Sequence, residues 1–590
     1  RNNAISIGGG QERYPGACVS AHVTGCPIGL GVELECHSTA LSNRPGTRLQ
    51  SVLVEMIGAL RRIGWPGLLL CLFALLVNAL GIFLLGPKNA ARIAWSAAAS
   101  ATLDGLAEGP FDLRIPVVEL QVQPELLDRL GEHLPMTGGE YVPAIIRSNG
   151  LEHHAEFRYR GGVFTAHFLG SKKSFRLKLG KRNPFAPFRS LDFLNPKTAD
   201  LLHNRMSCII ADQMGVACPF DGFVFVRLNG EDHGVMEVIE HIGGRFEQLR
   251  GVAKGQVPVF KGDFPPIDRN SVPKGKLLWA SADFWQYESK ADSSEAKALL
   301  QAAIQWVNAA DSLRPSIDSL ARCLDLSAFA RYNALIHLLG TWHIDNFHNQ
   351  WLVRSADTGL LYPVLWDAHP LFDRGSMPFH FTPDALSFHL MRDKDWRLER
   401  DRALYRGWLA MNDGGKFDEL YKEQITKLRA AVLRDRNRST LVTDMGEHVY
   451  RTSAVQWVRG LNRFSEGMHA HWERTRDAFR IRSFKVITTD TTLKISCLSE
   501  VALRMEHSAG QEVLEVLSTN GRGAVMLDSL PGTVLIHPVV SAPNQEYSDP
   551  YSAWNYCVTE PIDVTFHIAS GVPTALHFFN AVTDEEITPN

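Results

Sequence analysis

Between Gly64 and Gly86 the chain reads GWPGLLLCLFALLVNALGIFLLG, 23 residues without a charge and with Asn78 as the strongly polar side chain. As a helix this run rises about 34 Å, enough to cross a hydrocarbon core of about 30 Å. A core helix keeps a polar stripe, which this run lacks. The apolar core of a cleaved signal is shorter, about 7–15 residues. The run predicts a membrane anchor, with a signal segment as the alternative, since the small residues of Trp95–Ala101 offer a cleavage site. Arg44, Arg48, Arg61 and Arg62 precede it and Lys88 and Arg92 follow it, a bias toward a cytoplasmic N-terminus and an extracytoplasmic body. Residues 56–63 then read as a basic n-region, 1–55 as an unstructured upstream extension rich in Gly, and 87–111 as an Ala- and Ser-rich linker.

The rest has ordinary globular composition: 45% hydrophobic and 21% charged over 590 residues. Sixty-one Lys and Arg against 64 Asp and Glu leave a formal charge of −3, so no basic excess points to nucleic acid as a partner. Nine scattered Cys do not make a disulfide-built scaffold.

Strand signals begin at LRIPVVELQV, followed by a short helix at PELLDRL and strands at YVPAIIR, AEFRYRG and KSFRLKL. A helix is expected over 199–214, ended by Gly215. FDGFVFVRL and HGVMEVIEHI flank Asn229-Gly230, a pair suited to a type I′ hairpin turn. Helices are expected from about Ser294 to Leu339, then a strand pair at NQWLVR and LLYPVLWD. Residues 391–482 return to helix with 20 Lys/Arg against 14 Asp/Glu, a solvated face or else a docking surface for acidic groups. From Phe484 short strands broken by Gly, Pro, Asn and Asp predict a β-sandwich-like module over 484–590.

Four segments concentrate polar groups beside strands. Arg158-Tyr-Arg-Gly-Gly162 and Gly170-Ser-Lys-Lys-Ser-Phe-Arg-Leu-Lys-Leu179 can reach phosphate oxygens. Glu240-His241 closes the strand after Asn229-Gly230. Trp342-His-Ile-Asp-Asn-Phe-His-Asn349 sets Asp345 and Asn349 four apart, near the five-residue Asp/Asn spacing of a kinase catalytic loop. There a carboxylate accepts the hydroxyl proton and an Asn oxygen ligates metal. His343 and His348 keep a zinc or iron site open as another reading. Leu365-Trp-Asp-Ala-His369 ends a strand on Asp367. Each segment alone is more readily structural; their order is the signal.

That order resembles the spore-coat CotH family of atypical, secretory-type kinases over roughly 112–480. The resemblance rests on Arg158–Gly161, Lys172–Leu179, Val226–Glu240, Lys261-Gly-Asp263, Asp345–Trp351 and Trp366-Asp367. It implies an α+β fold with a distant protein-kinase-like core at 112–483 and a helical C-terminal part, ahead of the small all-β module. It also implies transfer of the ATP γ-phosphate to Ser/Thr of an exported or cell-envelope protein, with Mg²⁺ or Mn²⁺. By position Asp345 is the catalytic carboxylate, Asn349 and Asp367 hold the metal, and Lys173, Arg160 and Glu240 belong to the nucleotide site. The family's Trp-Asp-x-Asp stands here as Trp366-Asp-Ala-His369, so one carboxylate becomes an imidazole. Either Asp367 suffices, or metal use is altered, or the chain is a pseudokinase. The alternatives are a non-catalytic surface or coat binding protein and a metal-dependent hydrolase using Asp345, Asp367, His348 and His369.

Overall fold

The computed structural model describes residues 113–589 except 137, 162–166, 169–171, 197, 263–276, 371–376, 443–447, 508–513, 520–523, 528–531, 542–554 and 569–574. N-terminal to these only positions 69, 73, 76 and 98 are described. Apart from those four positions, the expected extension, n-region, apolar run and linker lie outside the described residues, as does Asp263. Among the described residues no helix is long and apolar enough to cross a membrane, so the anchor expected at 64–86 gains no support. The fold is mixed α/β, with helices and several sheets.

Seven strands close a barrel among the described residues: β1 (Val117–Val122), β2 (Val142–Ser148), β3 (Leu151–Tyr159), β4 (Phe175–Leu179), β5 (Ser190–Leu194), β6 (Asp221–Leu228) and β7 (Glu231–Glu240), in the order β1-β2-β3-β4-β5-β7-β6. Closure is made by parallel pairing of β1 with β6. Alternation drives it: Val118, Leu120 and Val122 of β1 and Phe175 and Leu177 of β4 point inward with Phe157 and Phe193. Helix α1 (Pro124–Gly131) starts on a proline and follows β1. The β6–β7 hairpin turns on Asn229 and Gly230, both at positive φ (53° and 87°), and Asn229 Oδ1 accepts the Val122 N–H.

The outer face of β6 and β7 carries Phe225 and Val235 into a second core with helix α2 (His203–Gln213) and the C-terminal helices. A disulfide joins Cys208 of α2 to Cys218, while Cys323, Cys497 and Cys557 are buried free thiols. Strands β8 (Val259–Gly262), β9 (Trp285–Tyr287), β10 (Gln350–Arg354) and β11 (Leu361–Val364) make a sheet ordered β11-β10-β8-β9. Helices α3 (Ser294–Asn308) and α4 (Leu326–Leu339) pack against it. Buried from Phe329 to Leu339 except at Arg331, α4 is capped by the Asp325 carboxylate, which accepts the Ala328 N–H, and stopped by Gly340 at φ 61°.

Helices α5 (Ala385–Met391), α6 (Lys394–Asn412), α7 (Lys416–Arg434) and α8 (Ala454–Ala478) follow. The basic excess of this region is partly internal. Arg400 is fully buried and donates to Asn333, Asp401 and the Phe379 carbonyl, and Arg397 donates to the Met391 and Pro538 carbonyls.

Two four-stranded antiparallel sheets lie beyond. One orders Ser483–Thr488, Thr492–Leu498, Ile562–Ile568 and Leu514–Thr519; the other orders Ala524–Leu527, Thr533–His537, Leu503–His507 and Leu576–Asn580. Phe484, Leu493, Leu503, Val534, Phe566 and Phe578 share one core between them. Arg402 donates to the Ala581 carbonyl and Asn580 to that of Phe479, so these sheets are stitched to the helices.

Candidate active site

Gly340 releases the chain from α4 into the loop 341–349, which β10 then ends. Gln350 holds this loop by donating to the Asp345 carbonyl at 2.6 Å. Asp345 is 5% exposed. Its Oδ1 accepts the N–H groups of Phe347 (2.9 Å) and His348 (3.0 Å) and lies 2.8 Å from His348 Nδ1. All these contacts fall on one oxygen, and Oδ2 has no partner among the described residues. Asn349 sits at φ 62° and donates Nδ2 to the His343 carbonyl at 3.0 Å.

Asp367 follows β11 at φ 50°. Its Oδ2 lies 3.1 Å from His343 Nε2 and its Oδ1 2.7 Å from His369 Nε2. Burial opposes its charge, but His369 and His343 outweigh burial and hold the carboxyl well below the usual carboxylate range. The His343 ring is 5.1 Å from those of both His348 and His369. Asp345 and Asp367 are thus linked through the imidazoles of His348 and His343, and Asn349 joins them through the His343 carbonyl. Backbone strain at Asn349 and Asp367 is of the kind that collects at functional sites.

Arg160 reaches the same place. Its guanidinium lies 5.7 Å from the Trp366 ring centre, and its Nε is 3.1 Å from Asp192. Asp192 also takes both arms of Arg176, at 2.5 and 2.9 Å. Burial works against this carboxylate, yet the two guanidiniums keep it far below its ordinary range.

Lys173 and Glu240 are not brought together. Lys173 Nζ lies 5.5 Å from the Tyr159 ring centre and has no carboxylate partner among the described residues. Glu240 is buried and bidentate with Arg250, at 2.8 and 3.2 Å, and accepts the Phe220 N–H. The buried lysine ahead of β4 is Lys172, 2.6 Å from Asp435.

Two acids missed in the sequence stand on the outer face of the hairpin. Asp221 pairs with Ile239 and Phe223 with Glu237, so the two carboxylates are diagonal neighbours. Both are 4% exposed. Among the described residues neither oxygen of Asp221 has a hydrogen-bond partner, and nor does Oε1 of Glu237, whose Oε2 accepts from Asn204. Burial pushes the Asp221 carboxyl up to about 7, only partly opposed by Arg205, which donates to its backbone carbonyl. Burial also raises Glu237 well above the ordinary range, reinforced by the charges of Asp221 and Asp367 and partly offset by the Asn204 hydrogen bond. The available signal was an acid at the centre of the apolar run VMEVI.

His343, Asp367 and His369 place three ligand atoms within 4.8 Å of one another. Two imidazole nitrogens and one carboxylate do not match Mg²⁺, which takes oxygen ligands.

The arrangement is that of a mixed α/β protein with a carboxylate- and imidazole-lined site after α4 and β11. The chain belongs to the CotH kinase protein family, whose model matches residues 157–474. It is 25% identical over 258 residues to the inner spore coat protein H of Bacillus subtilis (strain 168), covering 43% of this chain and 68% of that one. Among solved structures it resembles the Shewanella oneidensis MR-1 toxin–antitoxin complex of HipA, HipB and operator DNA at 12% identity. That match covers 61% of this chain and 72% of the other, and its TM-score of 0.26 is too low to bear on function.

Proposed function

We propose that this chain is a phosphotransferase that moves the γ-phosphoryl group of ATP to a Ser or Thr hydroxyl of a coat or envelope protein. Asp345, linked to Asp367 through His348 and His343 and with Oδ2 unengaged among the described residues, carries the reading. The hydroxyl oxygen attacks the γ-phosphorus, the bond to the bridging β–γ oxygen breaks, ADP leaves, and the hydroxyl proton passes to Asp345 Oδ2. Arg160, whose guanidinium lies at Trp366 next to Asp367, is the cation read as meeting phosphate charge, although it shares Asp192 with Arg176. Residues 112–483 are read as the kinase-like region, its barrel and helices flanking the site, and 484–590 as the β module. The Cys208–Cys218 bond and the likeness to a coat protein support a location outside the reducing cytoplasm. The donor set around Asp367, two imidazoles and one carboxylate, does not suit Mg²⁺.

One observation favours the non-catalytic reading: Glu240 is held by Arg250 and not by Lys173. Incubating the full chain with terminally labelled ATP and Mn²⁺ or Mg²⁺ separates the two readings. Label on protein that Asp345→Ala and Asp367→Ala both abolish is the expected result. No label and no nucleotide-dependent rise in Tm would overturn phosphotransfer in favour of a coat binding protein.

A further inference from the structure

We infer that His343 Nε2, Asp367 and His369 Nε2 form a divalent transition-metal site that prefers ions of the Mn²⁺ and Zn²⁺ class to Mg²⁺. The ligands come from two places: His343 from the loop after α4, Asp367 and His369 from the segment after β11. Two atoms bound at about 2.1 Å to one ion at right angles lie about 3 Å apart. The Asp367 oxygens are 3.1 Å from one imidazole nitrogen and 2.7 Å from the other. The left-handed backbone of Asp367 sets its carboxylate between the two rings. His348 is not among the ligand atoms that lie within 4.8 Å of one another.

A second observation points to a cation. Asp221, Asp367, Ala368 and Asn204 line one narrow cavity about the size of a single water. Asp221 lines it with both oxygens unpartnered among the described residues while nine-tenths buried, and Glu237, its diagonal neighbour, has one oxygen likewise unpartnered. Uncompensated buried carboxylates are costly, and a nearby dication supplies the missing charge. The two imidazole nitrogens move the preference from Mg²⁺, which takes oxygen ligands, to ions that accept nitrogen as well.

The inference rests on the site of the proposed phosphotransfer, but ion binding is read without nucleotide, so either can fail alone. The metal-free full chain would be titrated with Mn²⁺, Zn²⁺ and Mg²⁺ separately by calorimetry, and the Mn²⁺ complex examined by pulsed EPR. Mn²⁺ and Zn²⁺ are expected to bind at least 100-fold more tightly than Mg²⁺, with ¹⁴N couplings on Mn²⁺. His369→Ala should lose at least tenfold in Mn²⁺ affinity, and His369→Asp should shrink the Mn²⁺/Mg²⁺ ratio at least tenfold. Equal affinity for the three ions, or bound Mn²⁺ without nitrogen coupling, would overturn the site and leave the two imidazoles as hydrogen-bond partners of Asp367. The spectrum of the unaltered chain decides the matter even if a variant fails to fold.

Discussion

Removing the Asp435 side chain tests what holds the barrel to α7. Asp435 follows α7, and its Oδ2 takes Lys172 Nζ at 2.6 Å and the Val235 N–H at 2.9 Å, while Oδ1 takes the Asn437 N–H at 2.7 Å. Lys172 is 3% exposed. Burial lowers its pKa, and the Asp435 charge and hydrogen bond oppose that fall. Asp435→Ala strands a buried ammonium, which costs about 3–5 kcal/mol. The ammonium can escape only by losing its proton. From an ordinary pKa of about 10.4, that costs roughly 4.6 kcal/mol at pH 7 and sets a ceiling on the charge part. The two amides left without an acceptor add about 1 kcal/mol or more each. The total expected is about 5–7 kcal/mol. Adding Lys172→Met removes the stranded charge, so the double variant should recover most of the loss and keep only the amide part. Urea unfolding of the full chain at pH 7, followed by far-ultraviolet circular dichroism, measures all four corners of this cycle. A single-variant loss below about 1 kcal/mol, or a double variant no more stable than Asp435→Ala, would refute the reasoning. Gly234 belongs to the same contact: at φ 105°, a Cβ there would lie 2.2 Å from Asp435 Oδ1.

The buried acids predict a pH dependence. A carboxyl raised to about 7 in the fold binds its proton more tightly folded than unfolded, so its stabilisation is full below pH about 4 and is lost as pH rises through about 7. In chelator, Asp221→Asn should raise Tm at pH 8 and flatten Tm between pH 4 and 8; an unchanged profile would count against the burial argument. Glu240→Gln should lower Tm by weakening the tie to Arg250 while leaving ATP affinity within twofold. A tenfold loss of ATP binding at unchanged Tm would return Glu240 to the nucleotide site.

The amino-acid sequence by itself determined the local pieces. Period-two alternation marked β1, β2 and β4, Asn229-Gly230 marked the hairpin, and the order Asp345, Asn349, Asp367 marked one neighbourhood. These signals are short-ranged: a strand's inward face and a turn's positive φ are set within a few residues. Strand β5 was missed because SLDFL is short and carries a buried Asp192, on the face opposite Phe193, to Arg160 and Arg176. The tertiary structure alone decided which charges meet. In the run Lys172-Lys173, spacing cannot say which lysine is buried; that choice was made by Asp435, 263 residues away, once α7 packed on β7. Glu240 went to Arg250 because the chain after β7 turns back over the strand end. His343 joined Asp367 across 24 residues because α4 and β11 deliver both to one place. Charge and hydrogen-bond partners act over a few ångströms in space, and only the closed barrel and its packed helices set those distances.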